Sequence, residues 1–69
     1  MPITMARAGD TVRIKRISGR DEVKRHLESL GFVEGGLVNV VGGHGGNFIL
    51  GIKESRVAID KAMASRIMI

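Results

Sequence analysis

The sequence predicts a mainly β chain: a small barrel of five short strands, with one short helix after the first and a helical turn before the last. Three observations carry this. The run from Asp21 to Gly36, DEVKRHLESLGFVEGG, has helical periodicity and a glycine stop. Most of the remaining chain breaks into short stretches with one apolar face each, punctuated by glycine. Finally, 69 residues without a cysteine form one small domain with one modest core and no disulfide or thiolate-metal staple. Five half-apolar strands bury their inner faces by curling, which also limits exposed edges.

The helix is expected over 21–30. Val23, Leu27 and Leu30 fall at i, i+4 and i+7 and form one stripe. Asp21 and Glu22 place negative charge in the first turn, and Asp21 precedes Arg25 by four, the favoured acid-before-base order. Gly31 takes the left-handed position past the end, which brings Phe32 back toward Leu27.

Ahead of the helix, residues 1–8 are a lead-in with Ile3 as the anchor, and Gly9-Asp10 marks a turn. Thr11 to Ser18 alternates, with Val12 and Ile14 on one face. Ile17 breaks that parity, so a bulge or bend near Lys15-Arg16 is expected to return it to the core. After the helix, Leu37 to Val41 is a strand with Val38 and Val40 inward, and Gly42–Gly46 (GGHGG) reads as a hairpin loop. Asn47 to Lys53 is a strand with Phe48, Leu50 and Ile52 on one face, and Lys53–Arg56 is a turn. Val57 and Ile59 form the inner face of a fourth strand. Asp60 caps a helical turn over 61–65, and Arg66 to Ile69 is the last strand, with Ile67 and Ile69 inward. The four methionines read as core or edge packing. No repeat, linker or second domain interrupts 1–69.

The formal charge is +4, from eleven Lys and Arg against seven Asp and Glu. Six of the cations crowd one segment: Arg13, Lys15, Arg16, Arg20, Lys24 and Arg25. Such a patch either keeps the protein soluble or meets an anionic partner, and these six are the candidate partner-binding residues. Catalysis is not expected, because the chain has no nucleophile–histidine arrangement to build on. The GGHGG loop lacks the Lys-Ser/Thr pair of a phosphate loop and a following helix. Glu22 and His26, one helical turn apart, are weak candidate metal ligands. They fall short of the four that a structural site uses, and His44 stands alone in its loop. No site for a metal or cofactor is therefore assigned. No stretch approaches the roughly 18 apolar residues of a membrane span, and no signal-peptide pattern opens the chain, so the expected address is the cytoplasm.

The order strand–helix–three strands–helical turn–strand resembles the SH3-like barrel of the FeoA family, small bacterial proteins of ferrous iron transport. The resemblance is carried by Gly9-Asp10-x-Val12-x-Ile14-x-x-Ile17-x-Gly19, by Leu27-x-x-Leu30-Gly31-Phe32-x-x-Gly35 and by Ala64-x-x-Ile67-x-Ile69. The middle block is the most specific. The chain departs from the family at Ala6, where a large apolar residue is common, and at Glu34, where a proline is common. The same barrel resembles the C-terminal module of iron-dependent repressors. The resemblance implies an accessory or regulatory role, with the FeoB membrane permease as partner through its cytoplasmic GTPase domain. It carries over no catalytic residue. An arginine finger toward that GTPase, with Arg20 as the conceivable donor, has no motif behind it.

The alternative is a basic barrel that binds RNA, in the manner of ribosomal and translation-factor modules, on the strength of GDTVRIKRISG. Against it, a helix follows the first strand, and only Phe32 and Phe48 are available where bases are held by stacking. Two phenylalanines are also too few to line a groove for proline-rich peptides. Self-association through leftover strand edges stays open.

Overall fold

The computed structural model describes residues 1–69, the side chain of His44 excepted. Among the described residues the chain forms a short 3-10 turn (Ile3–Met5), β1 (Thr11–Arg13), β2 (Arg16–Ile17), α1 (Asp21–Ser29), β3 (Leu37–His44), β4 (Asn47–Ile52), β5 (Ser55–Asp60), α2 (Lys61–Ala64) and β6 (Ile67–Met68). Strands β1, β3, β4 and β5 form one antiparallel sheet in the order β1-β3-β4-β5, and β2 pairs with β6 in a second.

The single first strand expected over 11–18 is divided into β1 and β2 at Ile14-Lys15. The break does what the parity of the sequence demands. Val12 is half-buried, whereas Ile14 and Ile17, three apart, are both buried. One bent segment therefore belongs to both sheets and makes them the two walls of one barrel. The β2–β6 ladder continues past the strand ends, where Lys15 N–H donates to Met68 C=O at 2.8 Å and Ser18 N–H to Arg66 C=O at 2.7 Å. On its other side β6 meets the chain start, through a Pro2–Met68 bridge and the Ile69 N–H to Met1 C=O bond at 2.7 Å.

Helix α1 ends as its sequence requires. Gly31 has φ +105°, Gly31 N–H donates to Glu28 C=O at 2.9 Å, and Phe32 N–H donates to Leu27 C=O at 3.0 Å. This pair of bonds is the Schellman closure. It drives Leu27 and Phe32, both fully buried, into the same core as Ile3, Ile14, Val38, Leu50 and Ile67. At the other end of the chain Asp60 Oδ1 accepts from Met63 N–H at 2.7 Å and starts α2, the expected cap.

Three local expectations are corrected. Gly42–Gly46 is not all loop: β3 runs to His44, with a bulge at Val41, and only Gly45-Gly46 turns. Gly43 fits because a Cβ there would lie 3.2 Å from Asn47 C=O. The Lys53–Arg56 turn shrinks to Lys53-Glu54, a two-residue hairpin with Lys53 at φ +54°. Met1 and Met5 do not pack in the core; they are 63% and 67% exposed, and Ile3 is the residue of the 3-10 turn that is buried.

Replacing Gly31 by Ala forces a Cβ onto a left-handed residue, 3.4 Å from Ile52 Cγ2. The expected cost is about 1–2 kcal/mol, and Leu27→Ala is expected to cost about 2–5 kcal/mol. Urea unfolding checks both; a Gly31→Ala chain as stable as the parent would remove the closure as a source of stability.

Candidate partner-binding surface

No enclosed pocket is found among the described residues. The outer face of the four-stranded sheet is set by strand parity. With Val38 and Val40 inward, Leu37 and Asn39 point out. The register aligns Arg13 with Leu37, and Thr11 with Asn39, Gly51 and Arg56 across four strands. Thr11 Oγ1 donates to Asn39 Oδ1 at 2.8 Å. Asn39 in turn lies over Gly51, where an added Cβ would be 3.4 Å from Asn39 Cβ, so this polar row is closely packed.

Beside that row the surface is apolar. Leu37 is 55% exposed and Val33, in the loop leaving α1, is 46% exposed. The loop carrying Val33 is fixed at several points. Gly36 N–H donates to Val33 C=O at 3.0 Å, Gly35 N–H to Ile14 C=O at 2.8 Å, Ile14 N–H to Gly36 C=O at 2.9 Å, and Arg13 Nη1 to Gly35 C=O at 2.7 Å. Arg13 thus pairs with Leu37 across β1 and β3 and holds, through Gly35, the loop that carries Val33. Two exposed apolar residues on hydrogen-bonded backbone, with an arginine on the neighbouring strand, have the composition of an interaction hot spot.

The structure distributes the remaining cations of the segment. Lys15 is exposed at the bend between β1 and β2, Arg16 is exposed on β2 opposite Met68, and Arg20 is exposed at the N-cap of α1. Arg25 is exposed on α1, and Lys24 is half-buried there. Only Arg13 among the six donates a side-chain hydrogen bond among the described residues. The fold adds a cation that sequence proximity hides. The Arg66 Cδ lies 3.6 Å from where a Cβ of Gly19 would stand, next to Val23, so its stem covers the entry to α1.

Glu22 and His26 are both exposed, one turn apart on α1. No group of three or more His, Cys, Asp or Glu side chains placed to share a metal occurs among the described residues. The side chain of His44 lies outside them. Phe32 is fully buried, and Phe48, half-buried, packs against the core from β4. No helix is long and apolar enough to cross a membrane among the described residues.

A two-walled antiparallel barrel with a bent shared strand, a helix after that strand and a helical turn before the last is an SH3-like small barrel. The chain belongs to the FeoA family, whose domain model matches residues 1–69, and this places it in ferrous iron transport. It is similar to the solved structure of an iron uptake regulatory protein (FeoA), with 26% identity, a TM-score of 0.89, and coverage of 97% of this chain and 91% of that one. It is also similar to iron(II) transport protein A from Clostridium thermocellum, with 26% identity, a TM-score of 0.90, and coverage of 99% of this chain and 43% of that one. A manganese-dependent transcriptional repressor shares the fold at 23% identity and a TM-score of 0.87; 97% of this chain matches 39% of the repressor. No match is found among curated protein sequences.

The brace formed by Arg13 has a measurable consequence. Arg13→Ala is expected to raise amide exchange at Gly35 and Gly36 about tenfold while leaving the exchange of the buried strands unchanged. Hydrogen exchange by NMR checks this; unchanged rates at both glycines would show that the backbone bonds alone hold the loop.

Proposed function

We propose that this chain is a non-catalytic accessory protein of ferrous iron uptake in the bacterial cytoplasm, which binds the cytoplasmic GTPase-containing part of the FeoB permease. Family membership supports the process. The observation that carries the mode of action is the rigid Arg13–Val33–Leu37 surface, exposed apolar groups that water alone does not stabilise. The partner face that fits it is apolar at its centre and acidic at its rim. Leu37 and Val33 supply the desolvated contact and Arg13 the directional charge. Lys15, Arg16, Arg20, Lys24 and Arg25, spread over the bend, β2 and α1, add positive potential that speeds encounter with an acidic partner.

The test is binding of the purified chain to the soluble cytoplasmic domain of FeoB from the same organism, at physiological salt. Leu37→Asp and Arg13→Glu are each expected to weaken association about tenfold or more, the scale of losing a hot-spot residue. Pairing either Lys15→Ala or Arg25→Ala with the wild-type partner should lower the association rate and its salt dependence more than the dissociation rate. No association at high micromolar concentration, with or without guanine nucleotide, would overturn the reading.

A further inference from the structure

The barrel is not closed all the way round. Combining the two ladders through the bent first strand gives the order β6, β2/β1, β3, β4, β5, and no ladder joins β5 to β6 among the described residues. Strand β6 is flanked on both sides, by β2 and by Pro2. Strand β5 is paired on one side only, with β4.

The groups that β5 leaves unpaired can be identified. Residues of β4 and β5 oppose one another from Asn47↔Asp60 to Ile52↔Ser55. One step beyond the ladder, Lys61 N–H donates to Gly46 C=O at 3.0 Å. In an antiparallel ladder, hydrogen-bonded pairs alternate with non-bonded ones. Ser55, Val57 and Ile59 therefore share the parity of Lys61 and direct their backbone groups to β4. Arg56, Ala58 and Asp60 direct theirs away from it. The Asp60 C=O already belongs to the first turn of α2, because Asp60 is its N-cap. The open edge thus offers three N–H donors and the carbonyls of Arg56 and Ala58.

We propose that this edge takes a second copy of the chain, β5 against β5, antiparallel and centred on Ala58. The register follows from charge. With Ala58 on the two-fold axis, Arg56 of one copy lies directly opposite Asp60 of the other, and the arrangement repeats by symmetry. Two opposite-charge cross-strand pairs form on the outer face. The Asp60 Oδ1 is engaged with Met63 N–H, and its Oδ2 makes no hydrogen bond in the single copy among the described residues. The same register sets Val57 opposite Ile59 on the inner face. Four backbone bonds become available: Ala58 N–H to Ala58 C=O in both directions, and Asp60 N–H to Arg56 C=O in both. Ala58 is exposed and small, so its methyl at the axis obstructs nothing. Shifting the register by two residues in either direction sets Arg56 against Ala58, or Ala58 against Asp60, and loses the charge pairing. Of the usual devices against such pairing the edge carries charged side chains, Arg56 and Asp60, which this register pairs with each other; it has no proline, no bulge and no inward-pointing charge. A seam one strand long buries less than the roughly 1,000 Å² of a durable interface, so the dimer is weak and concentration-dependent.

The chain has no cysteine, which gives a clean probe. Across a hydrogen-bonded antiparallel pair the Cα atoms stand about 5.5 Å apart, within disulfide reach. Ala58→Cys is expected to cross-link to a dimer under mild oxidation, at least about tenfold faster than Ala8→Cys, whose exposed site lies off this edge. In sedimentation velocity the unmodified chain is expected to rise from 7.4 kDa toward twice that mass as its concentration nears ~1 mM. Arg56→Glu, which sets like charges opposite one another, and Ala58→Pro, which removes an N–H that no bond to β4 uses, are each expected to raise the dissociation constant about tenfold or more. Circular dichroism and an unchanged urea midpoint at low concentration establish that both variants fold. A chain that stays monomeric at ~1 mM, equal cross-linking at positions 58 and 8, or a dimer indifferent to both substitutions would overturn the proposal. None of these readouts involves the permease, so they stand or fall independently of the function proposed above.

Discussion

The closure of α1 at Gly31 is the joint on which the rest of the molecule depends. A helix of nine residues is too short to hold itself in water, so α1 exists because its apolar stripe is buried. The left-handed turn at Gly31 makes that burial possible. It reverses the chain within three residues, seats Phe32 beside Leu27 in the core and delivers Val33 to the surface. Without it, the chain would leave α1 in the wrong direction to reach β3. The loop at 33–36 would also lose its bonds to Ile14 and Arg13. One backbone conformation thus connects the core to the surface on which the proposed function rests.

A second constraint comes from size. A barrel of six short strands has few residues that avoid both solvent and the core, and twelve buried apolar side chains make up its interior. A core this small favours a chain that serves two sheets at once, and the bend at Ile14-Lys15 provides it. Ile14 and Ile17 fill the interior from the two walls, while Arg13, Lys15 and Arg16 are turned out. The exposure of Lys15 and Arg16 is therefore tied to the geometry of the bend: the polar residues between two core isoleucines have nowhere else to go.

Much of the fold was legible because it rests on strong local signals. The helix stop, the parity break at Ile17, the inward Val38 and Val40 and the Asp60 cap each follow from one or two residues with a mechanism. What was not legible lacked such a signal. Lys53-Glu54 contains neither Gly nor Asn, so nothing marks it as a tight hairpin; the pairing of β4 with β5 imposes the positive φ at Lys53. Glycine clustering made 42–46 read as loop, although Gly42 and Gly43 pair with Ile49 and Phe48. The cations of the candidate surface were visible as a run. Its apolar part was not, because an exposed Leu37 or Val33 is indistinguishable by residue type from a buried one. The parity of β3, opposite to Val38 and Val40, was the available signal for Leu37. Arg66 comes to Gly19 only through the β2–β6 ladder, a contact of long sequence separation.

The open edge and the apolar surface lie on the same sheet, and their relation limits how they act together. A two-fold axis between antiparallel strands stands perpendicular to the sheet, so directly opposite residues share one face. A β5–β5 dimer therefore joins two four-stranded sheets into one of eight strands, with both copies of Leu37 on its same side. Counting from β3 to β3 across β4 and β5 of each copy gives five strand spacings, about 24 Å along the sheet. The two surfaces do not overlap, since Arg13 and Leu37 lie on β1 and β3 and the seam lies on β5. Such a dimer would present two equivalent copies of the proposed docking surface side by side. Each weak contact would raise the effective concentration of the other, so on the proposed reading a seam too small to persist in dilute solution would become populated where partners are themselves clustered.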